Sequence, residues 1–171
     1  MEMSSWFAIR AAPRWELRAS SELTLRGLET YLPICRVQRN WSDRIKILNE
    51  PLFPGYFFGH FHLDDRFRVL QAPGVKQIVS IGNTPVPLSD SEIENLRILV
   101  SAGPLVAQWP YLPAGQRIRI HRGPLAGVEG FVVRAEEGAF RIVVSVDLLQ
   151  RSVATEIDRG SFTPVESGQA A

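Results

Sequence analysis

Between positions 6 and 100 the apolar residues change rhythm several times, and each change marks an element. Trp6-Phe7-Ala8-Ile9, ending at Arg10, reads as a short apolar strand. Pro13 stands where a first-turn proline is tolerated, and Trp15, Ala19 and Leu23 then recur every four residues. That spacing predicts a helix over 14–26 with one buried stripe, closed by Gly27. Strands follow over 31–37 and 45–48, flanking the polar tip Gln38-Arg39-Asn40-Trp41-Ser42-Asp43-Arg44. An aromatic strand comes next, then a short helix over 64–70 and a strand over 75–81. Ser89 and Glu92 have capping-box spacing, and the helix they open carries Ile93, Leu96, Leu99 and Val100 along one side. The order β-α-β-β-β-α-β-α predicts an α+β fold, an antiparallel sheet with flanking helices.

The aromatic strand is the most unusual segment. Pro51-Leu52-Phe53-Pro54-Gly55-Tyr56-Phe57-Phe58 puts rings on both faces, since side chains alternate along a strand. Tyr56, Phe58, His60 and His62 share one side, and Phe57, Phe61 and Leu63 the other. A half-buried sheet needs one apolar face, so the second face wants a cover: either another part of this chain or a partner. Pro51 and Pro54 bracket Phe53 in a rigid extended entry, because proline fixes its own φ and pushes its predecessor towards extended geometry.

After position 100 the helical grammar stops. Residues 102–112 hold Gly103, Pro104 and Pro110 without a clear period and read as a linker. Beyond it β-rich runs over 116–121, 130–135, 140–146 and 152–157 are separated by Gly-Pro or acidic turns, with Glu136-Glu137-Gly138 as a hairpin tip. Their close spacing predicts a small β-barrel. Gly123, Gly127 and Gly130 allow a tight turn and close backbone approach at a barrel corner, whether or not they touch a ligand. The expected organisation is a first domain over 4–101, a linker over 102–112 and a barrel over 113–166, with 167–171 frayed.

Charge changes this picture at one place only. The formal net charge of the 171 residues is +1, so no global field draws the chain to nucleic acid or an anionic membrane. The tip is the local exception: Arg36, Arg39, Arg44 and Lys46 surround Trp41 with Asp43 the single acid among them. Arginines neutralise phosphates and an exposed tryptophan stacks on an unpaired base; a solvated hairpin tip with the tryptophan folded back on the core is the alternative. Cys35 is the only cysteine, which excludes an internal disulfide and suits a reducing cytoplasm. The first residues lack a secretory pattern and no stretch approaches a membrane span.

No phosphate-binding loop, paired carboxylates or serine–histidine arrangement stands out, so no catalytic residue and no cofactor is expected. His60, His62 and Asp64 fall on alternate positions of one strand face, but a zinc site needs another fixed ligand and a second shell, and no metal is expected.

Trp6-Phe7 in the first strand, Leu32-Pro33, Pro51-Leu52-Phe53-Pro54-Gly55-Tyr56 and Pro73-Gly74-Val75 together resemble the N-terminal domain of the NusG family of bacterial transcription elongation factors. Gly115-Gln116-Arg117-Ile118-Arg119-Ile120, followed by Gly123-Pro124-Leu125-Ala126-Gly127 and Gly130, resembles the KOW motif at that family's C-terminus. The resemblance implies a non-enzymatic factor that rides on RNA polymerase. It implies a hydrophobic depression for the clamp helices of the largest polymerase subunit, and by position Phe53, Tyr56, Phe58, Ile93 and Leu96 fall there. It also implies upstream or non-template DNA beside the tip, and an SH3-like KOW barrel, built around Gly123, Pro124, Leu125, Gly127 and Gly130, that recruits Rho or a small-subunit ribosomal protein.

Three readings compete: a cytoplasmic, monomeric elongation or antitermination factor; a ribosome-associated or RNA-binding KOW protein; and a small metal-dependent enzyme built on the histidine strand. Ile118, Ile120, Val132, Val133, Ile142, Val143 and Val144 are β-branched and favour sheet. The C-terminal segment is therefore expected as a tethered barrel that leaves the aromatic face open.

Overall fold

The computed structural model describes residues 3–134 and 138–166. In chain order the elements are β1 (Ser5–Ala11), α1 (Glu16–Leu25), β2 (Glu29–Tyr31), β3 (Ile34–Asn40), β4 (Ile45–Pro51), β5 (Tyr56–Phe61), α2 (Arg66–Leu70), β6 (Val75–Ile78), β7 (Ser80–Ile81), β8 (Thr84–Pro85), β9 (Pro87–Leu88) and α3 (Asp90–Ala102). Then come β10 (Leu105–Trp109), β11 (Arg117–Ile120), β12 (Glu129–Arg134), β13 (Phe140–Val146), β14 (Arg151–Ile157) and β15 (Phe162–Pro164). The fold is mixed α/β, with three helices and several sheets. It divides into two compact units, Met1–Ile34 with Glu50–Glu94, and Cys35–Asn49 with Asn95–Ala171.

In the first unit the strands run β2-β5-β1-β6, and β9 also pairs with β1. β1 and β5 are antiparallel, with Ala8 opposite Phe58 and Ile9 opposite Phe57. One face of this sheet sends Phe7, Ile9, Phe57, Phe61 and Ile78 into a core with Ala19 and Leu23 of α1 and Val69 of α2. The stripe predicted for α1 is therefore buried as its spacing requires, with Trp15 packed partly against the same core. Gly27, at φ 85°, ends the helix in the left-handed region. At the start of α3 the capping box closes in both directions: Glu92 N–H donates to Ser89 Oγ at 3.2 Å and Ser89 N–H to Glu92 Oε2 at 2.8 Å.

The strand expected over 31–37 is two strands, since Leu32-Pro33 interrupts β2 and β3. A proline has no N–H to give a ladder, so the pairing breaks there. β2 pairs with β5, whereas β3 joins β4 and β10 in the second unit.

The second unit holds the strand path β15-β11-β12-β13-β14-β10-β3-β4. Residues 102–112 are thus not a structureless linker: β10 pairs antiparallel with β14 through Ala107 and Ala154, and parallel with β3 through Val106 and Val37. Thr155 Oγ1 also donates to the Leu105 carbonyl at 2.9 Å. Pro104 and Pro110, read as linker punctuation, delimit this strand instead of dissolving it. The compact units depart from the expected boundaries for the same reason.

From β15 to β14 the neighbours are antiparallel, but among the described residues no pairing joins the two ends of the path into a closed barrel. β13 spans the predicted 140–146; β15 was not anticipated, and Glu136 and Glu137 of the expected hairpin tip, like 167–171, lie outside the described residues. The second half of α3 docks in this unit, where Glu129 N–H donates to Asn95 Oδ1 at 2.7 Å and Asn95 Nδ2 donates to the Glu129 carbonyl at 2.9 Å.

Candidate functional site

The Pro51–Tyr56 entry is pinned from several directions. Leu52 N–H donates to the Pro33 carbonyl at 2.8 Å, Tyr56 N–H to the Phe53 carbonyl at 3.0 Å and Ala11 N–H to the Gly55 carbonyl at 2.8 Å. Gly55 takes φ 89°, a conformation costly for any residue with a Cβ. Its N–H donates to the buried carboxylate of Glu16 at 2.8 Å. Glu16 was not singled out from sequence; an acid in the first turn of a helix reads as favourable to the helix dipole, and only the fold shows that it holds a loop 39 residues away.

Held this way, the entry turns its apolar residues inward. Leu52 is 0 % and Phe53 1 % exposed, and Phe58 is 0 % exposed beside Tyr31, whose ring lies 6.5 Å away. Ile93 and Leu96 of α3 are buried too. Of the five residues expected to form an open depression, only Tyr56 keeps part of its surface in solvent. The expectation of an accessible aromatic face is corrected on this point. On this face of β5, Phe58 packs beside Tyr31 of the neighbouring β2, as hydrophobic burial favours.

The β3–β4 hairpin is built differently. Its turn is closed by Trp41 N–H donating to the Arg44 carbonyl at 2.8 Å, with the reciprocal bond at 3.3 Å. Trp41 remains 48 % exposed. The Lys46 ammonium lies 4.8 Å and the Arg44 guanidinium 5.6 Å from its ring centroid, so both cations stay at the ring. Ile45 and Ile47 are exposed on the same strand.

Of the other two basic residues only Arg36 leaves this group. Alternation puts exposed Arg36 on the opposite face of β3, whereas half-buried Arg39 lies on the face of Cys35, Val37 and Trp41, and the turn bonds between Trp41 and Arg44 set it opposite Lys46. The sequence count of basic residues missed the departure of Arg36 because it ignored register. Cys35 itself is buried, which pushes its thiol up to about 11, so it stays protonated and inert.

The glycine pattern of the C-terminal segment serves backbone geometry. Gly123 and Gly127 take φ 86° and 97°, and Gly127 N–H donates to the Ile120 carbonyl at 2.8 Å across the turn that contains Pro124 and Leu125. At Gly130 a Cβ would lie 2.5 Å from the Val143 carbonyl oxygen, so β12 and β13 approach too closely for any side chain. Beside them Glu129 accepts hydrogen bonds from Arg119 and Arg117.

The histidines are used locally. His60 Nδ1 lies 3.2 Å from Glu29 Oε2 with its ring 5.1 Å from that of Trp6, and His62 Nδ1 accepts the Asp64 N–H at 3.2 Å. Among the described residues no three His, Cys, Asp or Glu side chains are grouped to hold a metal, and no helix is long and apolar enough to cross a membrane.

Residues 4–97, which contain both the aromatic strand and the basic tip, match the family described as transcription termination factor nusG. The transcription termination/antitermination protein NusG of Deinococcus radiodurans is 30% identical, over 90% of this chain and 95% of that protein. The NusG of Lactococcus lactis is 27% identical, over 95% of this chain and 94% of that protein. The solved structure of Thermotoga maritima NusG shares the fold, with TM-score 0.58 at 19% identity over 95% of this chain and 98% of that one. The chain belongs to the NusG family of transcription termination/antitermination proteins.

Proposed function

We propose that this chain is a non-enzymatic elongation factor that associates with transcribing RNA polymerase in the cytoplasm as a monomer and alters its pausing and termination. The observation that carries the reading is the family match over 4–97, because that span includes the pinned aromatic entry and the exposed cationic tip. The clamp helices of the largest polymerase subunit are the partner suited to the aromatic region. Tyr56 supplies the first contact, and Phe53, Phe58, Ile93 and Leu96 join only if the structure opens, since all four are buried in this conformation. Trp41, Arg44 and Lys46 suit upstream or non-template DNA: phosphates pair with the cations and a splayed base takes one side of the indole. The antiparallel run from β11 to β15, with its KOW-like glycines, is the SH3-like module that recruits a second partner, Rho or a small-subunit ribosomal protein.

Co-purification of the tagged chain tests this. Polymerase subunits are the expected capture, reduced by Tyr56→Ala in a variant that stays folded at the temperature of the assay. Capture of ribosomal RNA and ribosomal proteins in place of polymerase would overturn the reading in favour of a ribosome-associated protein.

A further inference from the structure

The second unit contains a cleft of about 570 Å3 that neither the aromatic entry nor the hairpin tip uses. Its rim carries the guanidinium groups of Arg122, Arg134 and Arg159 and the carboxylates of Glu156 and Asp158. Its floor is apolar, from Ile120, Leu125 and Phe140. Two rim cations are fixed: Arg122 donates to the Gly160 carbonyl at 2.7 Å, and the Arg159 guanidinium lies 5.8 Å from the Phe140 ring centroid. Glu156 has a cation of its own, Arg141, at 3.6 Å. Arg134 and Asp158 are exposed.

Each part of this lining constrains the ligand. Among the described residues of the lining, three cations stand against two acids, which favours a ligand with negative charge. The acids disfavour one that is only negative, so the ligand must also offer hydrogen-bond donors. A guanidinium lying over an aromatic ring on an apolar floor favours a flat ring. An acidic peptide meets the first two conditions, through its carboxylates and its backbone N–H groups, and without an aromatic side chain fails the third. A nucleotide meets all three, and guanine is the base whose free edge presents two adjacent donor positions, N1–H and the exocyclic amine, to a single carboxylate.

We propose that this cleft binds an unpaired guanine nucleotide within single-stranded RNA, with its phosphate on Arg122 and Arg134, its ring stacked on the Arg159–Phe140 pair and its edge donating to Asp158. The assignment stands on the cleft alone and does not depend on the polymerase reading.

The test is fluorescence anisotropy of the full chain with labelled hexaribonucleotides, one containing guanines in a uridine background and one all-uridine, together with GMP as competitor. The guanine oligomer is expected to bind at least tenfold tighter than the all-uridine one. Arg134→Ala should weaken both oligomers and reduce the slope of log affinity against log salt by about one. Asp158→Asn should abolish the guanine preference and leave uridine binding unchanged. Both side chains are exposed, so these variants are expected to fold; amide spectra identical to the parent outside the cleft check this. Equal affinity for the two oligomers, or a guanine preference that survives Asp158→Asn, would overturn the proposal. GMP binding as tightly as the oligomer would replace it with a free-nucleotide site, and tighter capture of an oligoglutamate peptide than of either RNA would replace it with a peptide site.

Discussion

β5 and the β3–β4 hairpin both carry large aromatic residues, and the chain sends them into opposite environments. Phe58 has no exposed surface, whereas Trp41 keeps 48 % of its own. Composition near each ring accounts for the contrast. Phe58 sits in a run of apolar neighbours, and Ala8 opposite it in register leaves room for the ring to pack. Trp41 sits among Arg44, Lys46, Asp43 and Asn40 on a hairpin whose turn is two hydrogen bonds wide. Burying that ring would desolvate the Arg44 and Lys46 charges beside it, at a cost well above the gain from one indole. An aromatic surplus is therefore weak evidence of a docking face, because the chain can consume it. An aromatic residue surrounded by cations on a hairpin cannot be consumed in this way.

The sharpest way to break this contrast is to truncate the buried ring. Phe58→Ala should destabilise the fold by about 3–5 kcal/mol, the range for a phenylalanine deleted from a packed core. Tyr56→Ala, at a half-buried position, should cost less. Denaturant unfolding with unchanged m-value measures both. A loss below about 1 kcal/mol for Phe58→Ala would mean that its cover is easily shed and that the ring belongs to an interface.

Those two residues also mark how far the sequence could be read. The stripe Trp15, Ala19, Leu23 and the Ser89–Glu92 box are local, and local periodicity and capping chemistry placed them correctly. So was the span of β13, whose β-branched run ends at turn residues. What escaped is long-range. Residues 105–109 became a strand because β3 and β14 offered edges on either side, which no pattern within the segment announces. Gly55, two residues after Phe53, is held by Glu16, far away in sequence, and the separation of Arg36 from Arg39 depends on register. The tip was legible as a cluster, though Arg36 lies on the other face from Arg39, Trp41, Arg44 and Lys46.

A second test stays in the buried half of the comparison but replaces lost packing with added bulk. Gly130→Ala puts a methyl 2.5 Å from the Val143 carbonyl oxygen, inside a strand pair that cannot yield without losing its ladder. A loss of about 1–3 kcal/mol is expected in thermal or denaturant unfolding. Gly123→Ala, where nothing lies within 4 Å of the new carbon, should cost about 1 kcal/mol through its positive φ alone. Equal losses would show that the β12–β13 approach is looser than the distances state.

The exposed half of the comparison predicts almost no stability effect. Replacing Trp41, Arg44 and Lys46 by alanine should change unfolding free energy by only about 0.5 kcal/mol, the range for surface positions. The same variant should lower affinity for a fork-shaped DNA and reduce the salt slope by about two, one for each cation removed. A large stability loss would mean that the tip packs on the body of the protein, and an unchanged salt slope would make it ordinary surface.

The smallest effect concerns Glu129, where charges are exposed as at the tip but are also mutually paired. The Arg119 hydrogen bond, followed in the opposite sense by burial and then helped by the charges of Arg119 and Arg117, holds this carboxyl below the usual range. A carboxyl with a lowered folded value gives stability that is complete above its unfolded titration and is lost as pH falls through the folded one. Arg119→Gln should therefore move the Glu129 titration upward, read by carbon-detected magnetic resonance of its side chain. It should lower stability at neutral pH by only about 0.2–1 kcal/mol, because solvent screens such pairs, and the loss relative to the parent should vanish at acid pH where both forms are protonated. A difference that persists at low pH would assign the contribution of Arg119 to packing of its alkyl stem along β11, and would make this cluster a case of consumed apolar surface like Phe58 instead of exposed charge like the tip.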